Sequence, residues 1–132
     1  TLFDVYEENL EAARASVAAA GAEEVTPVLV DVTDRGRVFI EVEAADTRAP
    51  VEVLVNNAGI AEEEGFLDIT EESWKRILDV NLTGMFHVGQ AVCRYLAGRR
   101  RGASRRDLAA LWPGALQTPS VRVQLRLLCN RA

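Results

Sequence analysis

VLVNNAG, at residues 53–59, is the stretch that decides the fold. Its aliphatic residues end a predicted strand at 51–55, and the small and polar residues after them favour a turn. Similar apolar runs precede it at residues 1–4 and 25–32, and helical patterns separate the three runs. Strands that alternate with helices in this way predict βαβ units and a parallel sheet.

The helices between these strands have recognisable beginnings and ends. The first has apolar residues at helical spacing and a stop at Gly21. Asp34 is a suitable N-cap for the second, whose apolar face includes Val38, Val42 and Ala45. Both patterns predict helices that pack one face against the sheet.

A longer helix is predicted over residues 71–97, with Thr70 as its N-cap. One stripe of it is apolar apart from a single amide: Trp74, Ile77, Leu78, Asn81, Met85, Val88 and Val92. A buried Asn needs hydrogen-bond partners, so Asn81 is a candidate for a special role. His87, the only histidine, has no second ligand nearby in sequence, which argues against a metal or base role.

Charge divides the chain into two parts. The net charge of −5 combines −12 over residues 1–98 with +7 over residues 99–132, where eight arginines accompany one acid. No aromatic ladder accompanies these arginines, so we predict no nucleic-acid partner. No apolar run is long enough to span a bilayer and no signal segment opens the sequence, so we predict no membrane association and a cytoplasmic location. Cys93 and Cys129 lack metal-binding spacing, so we predict no metal site.

Three segments together resemble the short-chain dehydrogenase/reductase family. They are VLVNNAG at 53–59, NLTG from Asn81 onwards, and VDVTD at 30–34, and their order and spacing also match. The resemblance implies a partial Rossmann-type fold, an α/β doubly wound parallel sheet with helices on both faces and the first strand missing. The predicted domains are a partial NAD(P)-binding Rossmann domain at residues 1–98 and a basic, non-family tail at 99–132.

The resemblance assigns residues to the adenosine half of a cofactor site. Asp4 stands where the family meets the adenosine ribose, and a carboxylate there would repel a 2′-phosphate, which favours NAD over NADP. Asp31 and Val32 stand where the family contacts adenine, through the Asp31 side chain and the Val32 backbone. For each aspartate, a carboxylate that merely ends a strand is the alternative.

The resemblance also assigns Asn57, Ala58, Gly59 and Asn81. The first three are residues whose turn approaches the cofactor ribose closely, and Asn57 is expected to tie that turn to a neighbouring strand. Asn81 resembles the family's catalytic Asn, whose main-chain carbonyl holds a water of the proton relay while its side chain bonds within a distorted helix. A buried amide tied to the backbone is the alternative for Asn81.

Two motifs of the family do not occur in these 132 residues. They are the Gly-x-x-x-Gly-x-Gly phosphate loop and the catalytic Tyr-x-x-x-Lys; Tyr95 precedes Arg99 at that spacing, but Arg stays protonated and cannot relay protons. The family's first strand would lie between the strands that end at Asp4 and Val55. Its absence predicts a gap of about 10 Å, so that those strands either re-pair or keep unpaired edges. We therefore expect the isolated chain to be marginally stable or to aggregate.

The implied function is that of an oxidoreductase which transfers hydride between NAD(H) and a small alcohol or ketone, with this chain inactive alone. Two alternatives stay open. One is a non-catalytic interaction module or homo-oligomer that uses the helix at 71–97, and the other is an inert truncated gene product. For the tail, we hypothesise a frameshift near residue 102 or disorder.

Overall fold

The computed structural model describes residues 1–99 and a short final strand at Ala110–Leu111. The elements follow the chain as β1 (Leu2–Asp4), α1 (Glu7–Ala19), β2 (Pro27–Leu29), α2 (Arg35–Arg48), β3 (Leu54–Val55), α3 (Glu71–Leu78), a π-helical turn (Asp79–Gly84), α4 (Met85–Gly98) and β4 (Ala110–Leu111). This alternation confirms the predicted α/β fold class. Residues 100–109 and 112–132 of the predicted tail lie outside the described residues, as does the hypothesis about their origin.

Strand pairing leaves a break between β1 and β3. β1 runs parallel to β2, with Leu2 opposite Pro27 and Asp4 opposite Leu29. β3 runs parallel to β4. Among the described residues no ladder joins β1 to β3. Direct re-pairing of these two strands, one of the two expected outcomes, is therefore wrong, and the break falls where the sequence predicted it.

The strands are shorter than predicted. β2 covers three of the eight residues expected at 25–32, and β3 covers two of the five expected at 51–55. A strand stays regular only where a neighbour shares its ladder hydrogen bonds. Among the described residues, β3 is paired only with the two-residue β4. β4 lies inside the predicted tail and was not predicted, because a two-residue strand has too little periodicity to be recognised in a sequence.

Three predicted helix boundaries are confirmed. Asp34 caps α2 by accepting a hydrogen bond from Arg37 N at 2.9 Å, and Thr70 caps α3 by accepting one from Ser73 N at 3.1 Å. Gly21, which follows the end of α1, has a φ of 100° in the left-handed region. The two caps satisfy backbone N–H groups that the first turn of a helix leaves unpaired.

The core lies between α2, α4 and the strands. Its buried members are Val30, Val32, Val38, Val42, Val88, Ala91 and Val92. Phe3 of β1, Val28 of β2 and Leu54 of β3 pack against this cluster. The three strands therefore rest on one set of core residues although only β1 and β2 are paired with each other. The predicted apolar face of α2 is confirmed, since all three of its named residues are buried.

The predicted helix at 71–97 is interrupted by the π-helical turn (Asp79–Gly84), which contains Asn81, where the resemblance implied a distorted helix. Such a turn inserts an extra residue, so it rotates the face of α3 relative to that of α4. Val88 and Val92 are buried as predicted, but Trp74, expected on the same buried stripe, is 54% exposed. Within the described residues, no helix is both long and apolar enough to cross a membrane.

Arg99 joins the end of α4 to α2 and to the residues before β3. Its guanidinium pairs with the Asp46 carboxylate and donates to the Val51 carbonyl at 3.4 Å, while Val51 N donates to Asp46 Oδ1 at 3.0 Å. The hydrogen bond from Arg99, aided by the one from the Val51 backbone, holds the pKa of Asp46 below its ordinary value. Arg99 therefore has a structural partner, and Tyr95 packs against the core.

Candidate functional site

Apart from Asn81, which lies in the π-helical turn, the predicted site residues lie in three segments at the carboxyl ends of β1, β2 and β3. Asp4 ends β1; residues 31–34, which we name the β2 loop, follow β2; and residues 57–60, which we name the β3 turn, follow β3. Because Asp4 stands opposite Leu29 in the β1–β2 ladder, Asp4 and the β2 loop share one edge of that sheet. Open parallel sheets bind their ligands at this carboxyl edge.

The Asp4 carboxylate is engaged by the residues that lead into α1. Oδ1 accepts hydrogen bonds from Tyr6 N at 2.9 Å and from Asn9 Nδ2 at 3.3 Å, and Oδ2 lies 3.4 Å from the same Asn9 amide. These contacts order the entry into α1, which is a structural role. A carboxylate oxygen accepts two hydrogen bonds, so Oδ2 keeps room for a ligand hydroxyl. Among the described residues, Asp4 forms no ion pair.

Asp31 is held by hydrogen bonds within the β2 loop. Its Oδ1 accepts from Thr33 N at 2.8 Å and from Thr33 Oγ1 at 2.7 Å, and its carbonyl accepts from Asp34 N at 3.0 Å. Asp31 is exposed, and within the described part of the chain neither its Oδ2 nor the Val32 N–H has a hydrogen-bond partner. The loop therefore offers an acceptor and a donor on adjacent residues.

Asn81 pairs with the β3 turn. Its Oδ1 accepts from Ile60 N at 2.8 Å and its Nδ2 donates to Ile60 O at 2.8 Å. The expectation that this side chain bonds within the distorted helix is wrong, because it leaves the π-helical turn and binds the backbone of another segment. The π-helical turn is centred on this residue, and such turns are frequent at functional sites.

The β3 turn approaches Asn81 closely. A Cβ placed on Gly59 would lie 3.3 Å from Asn81 Oδ1, a tighter contact than most Cβ atoms make. Asn57 and Ala58 are exposed. Among the residues that the structure describes, the Asn57 side chain has no partner, so its predicted tie to a neighbouring strand stays a prediction. Asn81 fixes the turn from the helix side.

Two residues that the sequence did not single out for this site contact the β2 loop. His87, 9% exposed, places Nδ1 3.1 Å from the Val32 carbonyl oxygen. A Cβ on Gly84 would lie only 2.5 Å from Val32 Cγ2, so a larger residue there would displace the loop. The available signal was position, because Gly84 and His87 are three residues apart and so lie on one face of the predicted helix.

The site thus offers hydrogen-bonding groups for a ligand with hydroxyls and a polar ring. It combines carboxylates at two neighbouring strand ends, an unused donor beside one of them, and a small-residue turn fixed by an amide. Where the structure describes the chain, no cluster of His, Cys, Asp and Glu could hold a metal ion. These groups can accept hydrogen bonds from ribose hydroxyls and pair with the polar edge of a base.

Sequence comparisons point to one family. A family model described as short chain dehydrogenase matches residues 1–103. A carboxyl-CoA reductase from Mycobacterium tuberculosis, which acts on a hydroxylated methyl-oxo-hexahydroindene, is 34% identical over 100 residues, covering 75% of this chain and 38% of that protein. The 3-oxoacyl-[acyl-carrier-protein] reductase FabG from Thermotoga maritima is 35% identical over 101 residues, covering 76% of this chain and 41% of that protein.

Solved structures give the same result. NAD⁺-bound xylitol dehydrogenase aligns with a TM-score of 0.68 at 33% identity, over 74% of this chain and 38% of that one. A short chain dehydrogenase from Mycobacterium smegmatis aligns with a TM-score of 0.65 at 34% identity, over 73% of this chain and 40% of that one. The chain therefore spans about two fifths of the length of these relatives.

Proposed function

The chain belongs to the short chain dehydrogenase family, and from this premise we propose that it provides the adenosine half of an NAD(H) site in an oxidoreductase. The observation that carries the proposal is the free Asp31 Oδ2 beside the free Val32 N–H, on the sheet edge that also holds Asp4. The bound cofactor would supply the hydride acceptor or donor, and an alcohol or ketone would be its reaction partner. The proposed unit is residues 1–98, and a cytoplasmic location stays a prediction.

Asp31 and Val32 would hold the adenine. The Asp31 Oδ2 can accept a hydrogen bond from an exocyclic amine, because the hydrogen bonds from Thr33 occupy only Oδ1. The Val32 N–H can donate to a ring nitrogen beside that amine. An acceptor next to a donor matches the amine and ring nitrogen at the edge of adenine, which supports this assignment over a carboxylate that only ends a strand.

Asp4 would hold the adenosine ribose and favour NAD over NADP. Its carboxylate can accept hydrogen bonds from ribose hydroxyls, whereas a 2′-phosphate would place two negative charges together. The next residues, Val5 and Tyr6, carry no positive charge to compensate. The xylitol dehydrogenase relative was solved with NAD⁺ bound, which supports the same preference.

Asn57, Ala58 and Gly59 would line the approach to the second ribose, and Asn81 would act beside them. The Asn81 side chain is committed to Ile60, so its main-chain carbonyl is the group left to hold a water of the proton relay. The absence of Tyr-x-x-x-Lys and of the glycine-rich loop from these 132 residues supports a chain that binds weakly and does not turn over alone. The substrate class is proposed from relatives that reduce 3-oxoacyl groups or oxidise gluconate and galactitol.

Calorimetric titration of the full chain with NAD⁺ tests this proposal. Asp31→Asn keeps the oxygen that accepts from Thr33 but replaces the free acceptor by an amide N–H₂, so we expect about a tenfold loss of affinity or more. Glu23→Gln removes an exposed charge that precedes β2, whereas the β2 loop follows this strand, so it should leave binding unchanged. Absence of saturable heat with the unmodified chain, or equal affinity of Asp31→Asn, would overturn the proposal.

A second function, self-association through the interrupted helix, is favoured by one observation. Phe66 is 87% exposed, Trp74 54% and Phe86 56%, and a groove lined by Phe66 and Trp74 lies at the start of α3. Burying these side chains against a second copy of the chain would remove apolar surface from water. Sedimentation equilibrium of Trp74→Ser and Phe86→Ser tests this: a monomer in both variants and a dimer in the parent supports it, and a monomeric parent excludes it.

A further inference from the structure

We propose that His87 is a positioning residue for adenine recognition, one that acts through the Val32 peptide group on the Asp31 carboxylate. The inference rests on the proposed adenine site and adds a determinant that lies outside it. His87 is buried in α4 and does not belong to the sheet edge. Its Nδ1 lies 3.1 Å from the Val32 carbonyl oxygen. A carbonyl can only accept, so Nδ1 carries the proton of this hydrogen bond.

The hydrogen bonds place His87 and Asp31 on opposite sides of one peptide plane. The Val32 carbonyl and the Thr33 N–H belong to the same planar group and point in opposite directions. His87 donates to the carbonyl at 3.1 Å, and the Thr33 N–H donates to Asp31 Oδ1 at 2.8 Å. Fixing the carbonyl therefore fixes the N–H, and the N–H fixes which Asp31 oxygen stays free. The chain of contacts runs from α4 to the free Asp31 Oδ2 without a break.

His87 supplies the hydrogen bond to the β2 loop that comes from a distant element. The other described hydrogen bonds of residues 31–34 join them to one another or to the first turns of α2. Those local bonds shape the loop but do not hold it against the helix layer. Gly84 contributes the second point of support, because Val32 Cγ2 packs so close to it that a Cβ at that position would lie only 2.5 Å away. Without the His87 donor, the β2 loop would keep its local hydrogen bonds and its packing against Gly84. It would lose the bond that fixes its orientation relative to α4.

The test compares NAD⁺ with nicotinamide hypoxanthine dinucleotide, which has a carbonyl in place of the adenine amine. The unmodified chain should prefer NAD⁺, because Asp31 Oδ2 accepts from the amine. In His87→Leu the ratio of the affinities for NAD⁺ and for the hypoxanthine dinucleotide should fall several-fold, as expected when one hydrogen bond is weakened. His87→Asn keeps a donor near the position of Nδ1 and should restore the preference. A His87→Leu chain that binds both dinucleotides more weakly by the same factor, with its preference intact, would show a merely structural role and overturn the inference.

Val92→Ala is the matched control for loss of packing. Val92 is buried on the same helix and belongs to the core, so this variant should lose stability while keeping the parent's preference for NAD⁺. Loss of preference in Val92→Ala equal to that in His87→Leu would count against a specific role of His87. If His87→Leu does not fold, His87→Asn decides: a kept preference supports the inference, and a lost one overturns it.

Hydrogen exchange separates this inference from the proposed function. If the unmodified chain binds neither dinucleotide, the proposed function fails, and exchange of the Thr33 amide then decides the role of His87. We expect that amide to exchange several-fold faster in His87→Leu and at the parent rate in His87→Asn and Val92→Ala. Equal Thr33 exchange in His87→Leu and the parent would overturn the positioning role, whatever the binding result.

Discussion

The β2 loop and the β3 turn both follow a strand and both contact the interrupted helix, yet they are held in different ways. The β2 loop is built from its own short polar side chains, and His87 adds one bond from α4. The β3 turn has exposed residues, and a single side chain, Asn81, ties it to the helix through Ile60. Local sequence thus shapes the first segment, whereas one tertiary contact shapes the second.

The strands that precede these two segments also differ in how well they are supported. β2 pairs with β1 along its whole length in a defined register. In the part of the chain that the structure describes, β3 pairs only with the two residues of β4. The better-supported strand is followed by the loop with the free acceptor and donor of the proposed adenine site. Breaking each support separately should therefore affect one segment and spare the other.

Gly84→Ala should have the largest effect, and it acts on the β2 loop. The added Cβ would lie 2.5 Å from Val32 Cγ2, so the loop or the helix must shift, at about 2–3 kcal/mol of unfolding free energy. Gly98→Ala is the control, because nothing lies within 4 Å of a Cβ there, and it should be neutral or stabilising by up to about 1 kcal/mol. Urea denaturation measures both, and equal stability of the two variants would contradict the close packing.

Asn81→Ala should come next, and it acts on the β3 turn. It removes both hydrogen bonds to Ile60 and leaves two partly buried backbone groups unpaired, which costs about 2 kcal/mol. Amide exchange should accelerate at Ile60 and stay unchanged at Thr33. Asn57→Ala removes an exposed side chain from the same turn and should change stability by less than about 0.5 kcal/mol. Faster exchange at both Ile60 and Thr33 in Asn81→Ala would mean that the two segments are not independent.

Removal of either helix cap should have a smaller effect. Asp34→Ala and Thr70→Ala each delete an acceptor for a first-turn N–H, at about 1 kcal/mol of stability. Asp34 belongs to the β2 loop and Thr70 to neither segment, so only Asp34→Ala should also loosen Thr33. Asp34→Ser keeps an N-cap oxygen and should recover most of the loss. Thermal melts with exchange at Thr33 would check this, and a Thr70→Ala chain with a loosened Thr33 would contradict it.

Acid should weaken the Arg99 contact that supports the residues before β3. The pKa of Asp46 is lowered by its hydrogen bonds from Arg99 and the Val51 backbone. A carboxylate whose pKa is lower in the folded chain contributes stability that is fully present above the unfolded pKa of about 4. That stability is lost as the pH falls through the lowered, folded pKa.

Asp46→Asn should reduce the loss of unfolding free energy as the pH falls below about 4 and leave its pH dependence near neutrality unchanged. Denaturant midpoints measured between pH 6 and pH 2 would show the difference. Asp68→Asn is a control, since this carboxylate is exposed and lies in the segment just before α3. If Asp46→Asn and the parent lose the same stability between pH 6 and pH 2, the Arg99–Asp46 contact does not contribute to acid sensitivity.

The parts of the fold that follow from local rules could be predicted from the sequence. The order of strands and helices, the caps at Asp34 and Thr70, and the stop at Gly21 each depend on residues within a few positions of the feature. The break beside β1 also followed, because it depends on the order of the strands rather than on any side chain.

The parts that depend on distant contacts could not be predicted. The apolar stripe at 71–97 did not mark the π-helical turn, whose extra residue leaves Trp74 exposed. Only the resemblance at Asn81 implied a distorted helix there. The pairing of Asn81 with Ile60 spans 21 residues and that of His87 with Val32 spans 55, so neither is visible as a sequence period. The sequence marked Asn81 as unusual but did not identify Ile60 as its partner.

The central claim is that the edge formed by Asp4 and the β2 loop binds the adenosine half of NAD(H). Titration of the ¹⁵N-labelled full chain with NAD⁺ and with 5′-AMP, followed by amide chemical shifts, tests it most directly. The account predicts saturable shifts from both ligands at Val32, Thr33 and Tyr6, and their loss in Asp31→Asn. Shifts confined to the groove around Phe66 and Trp74, or none at either place, would contradict it.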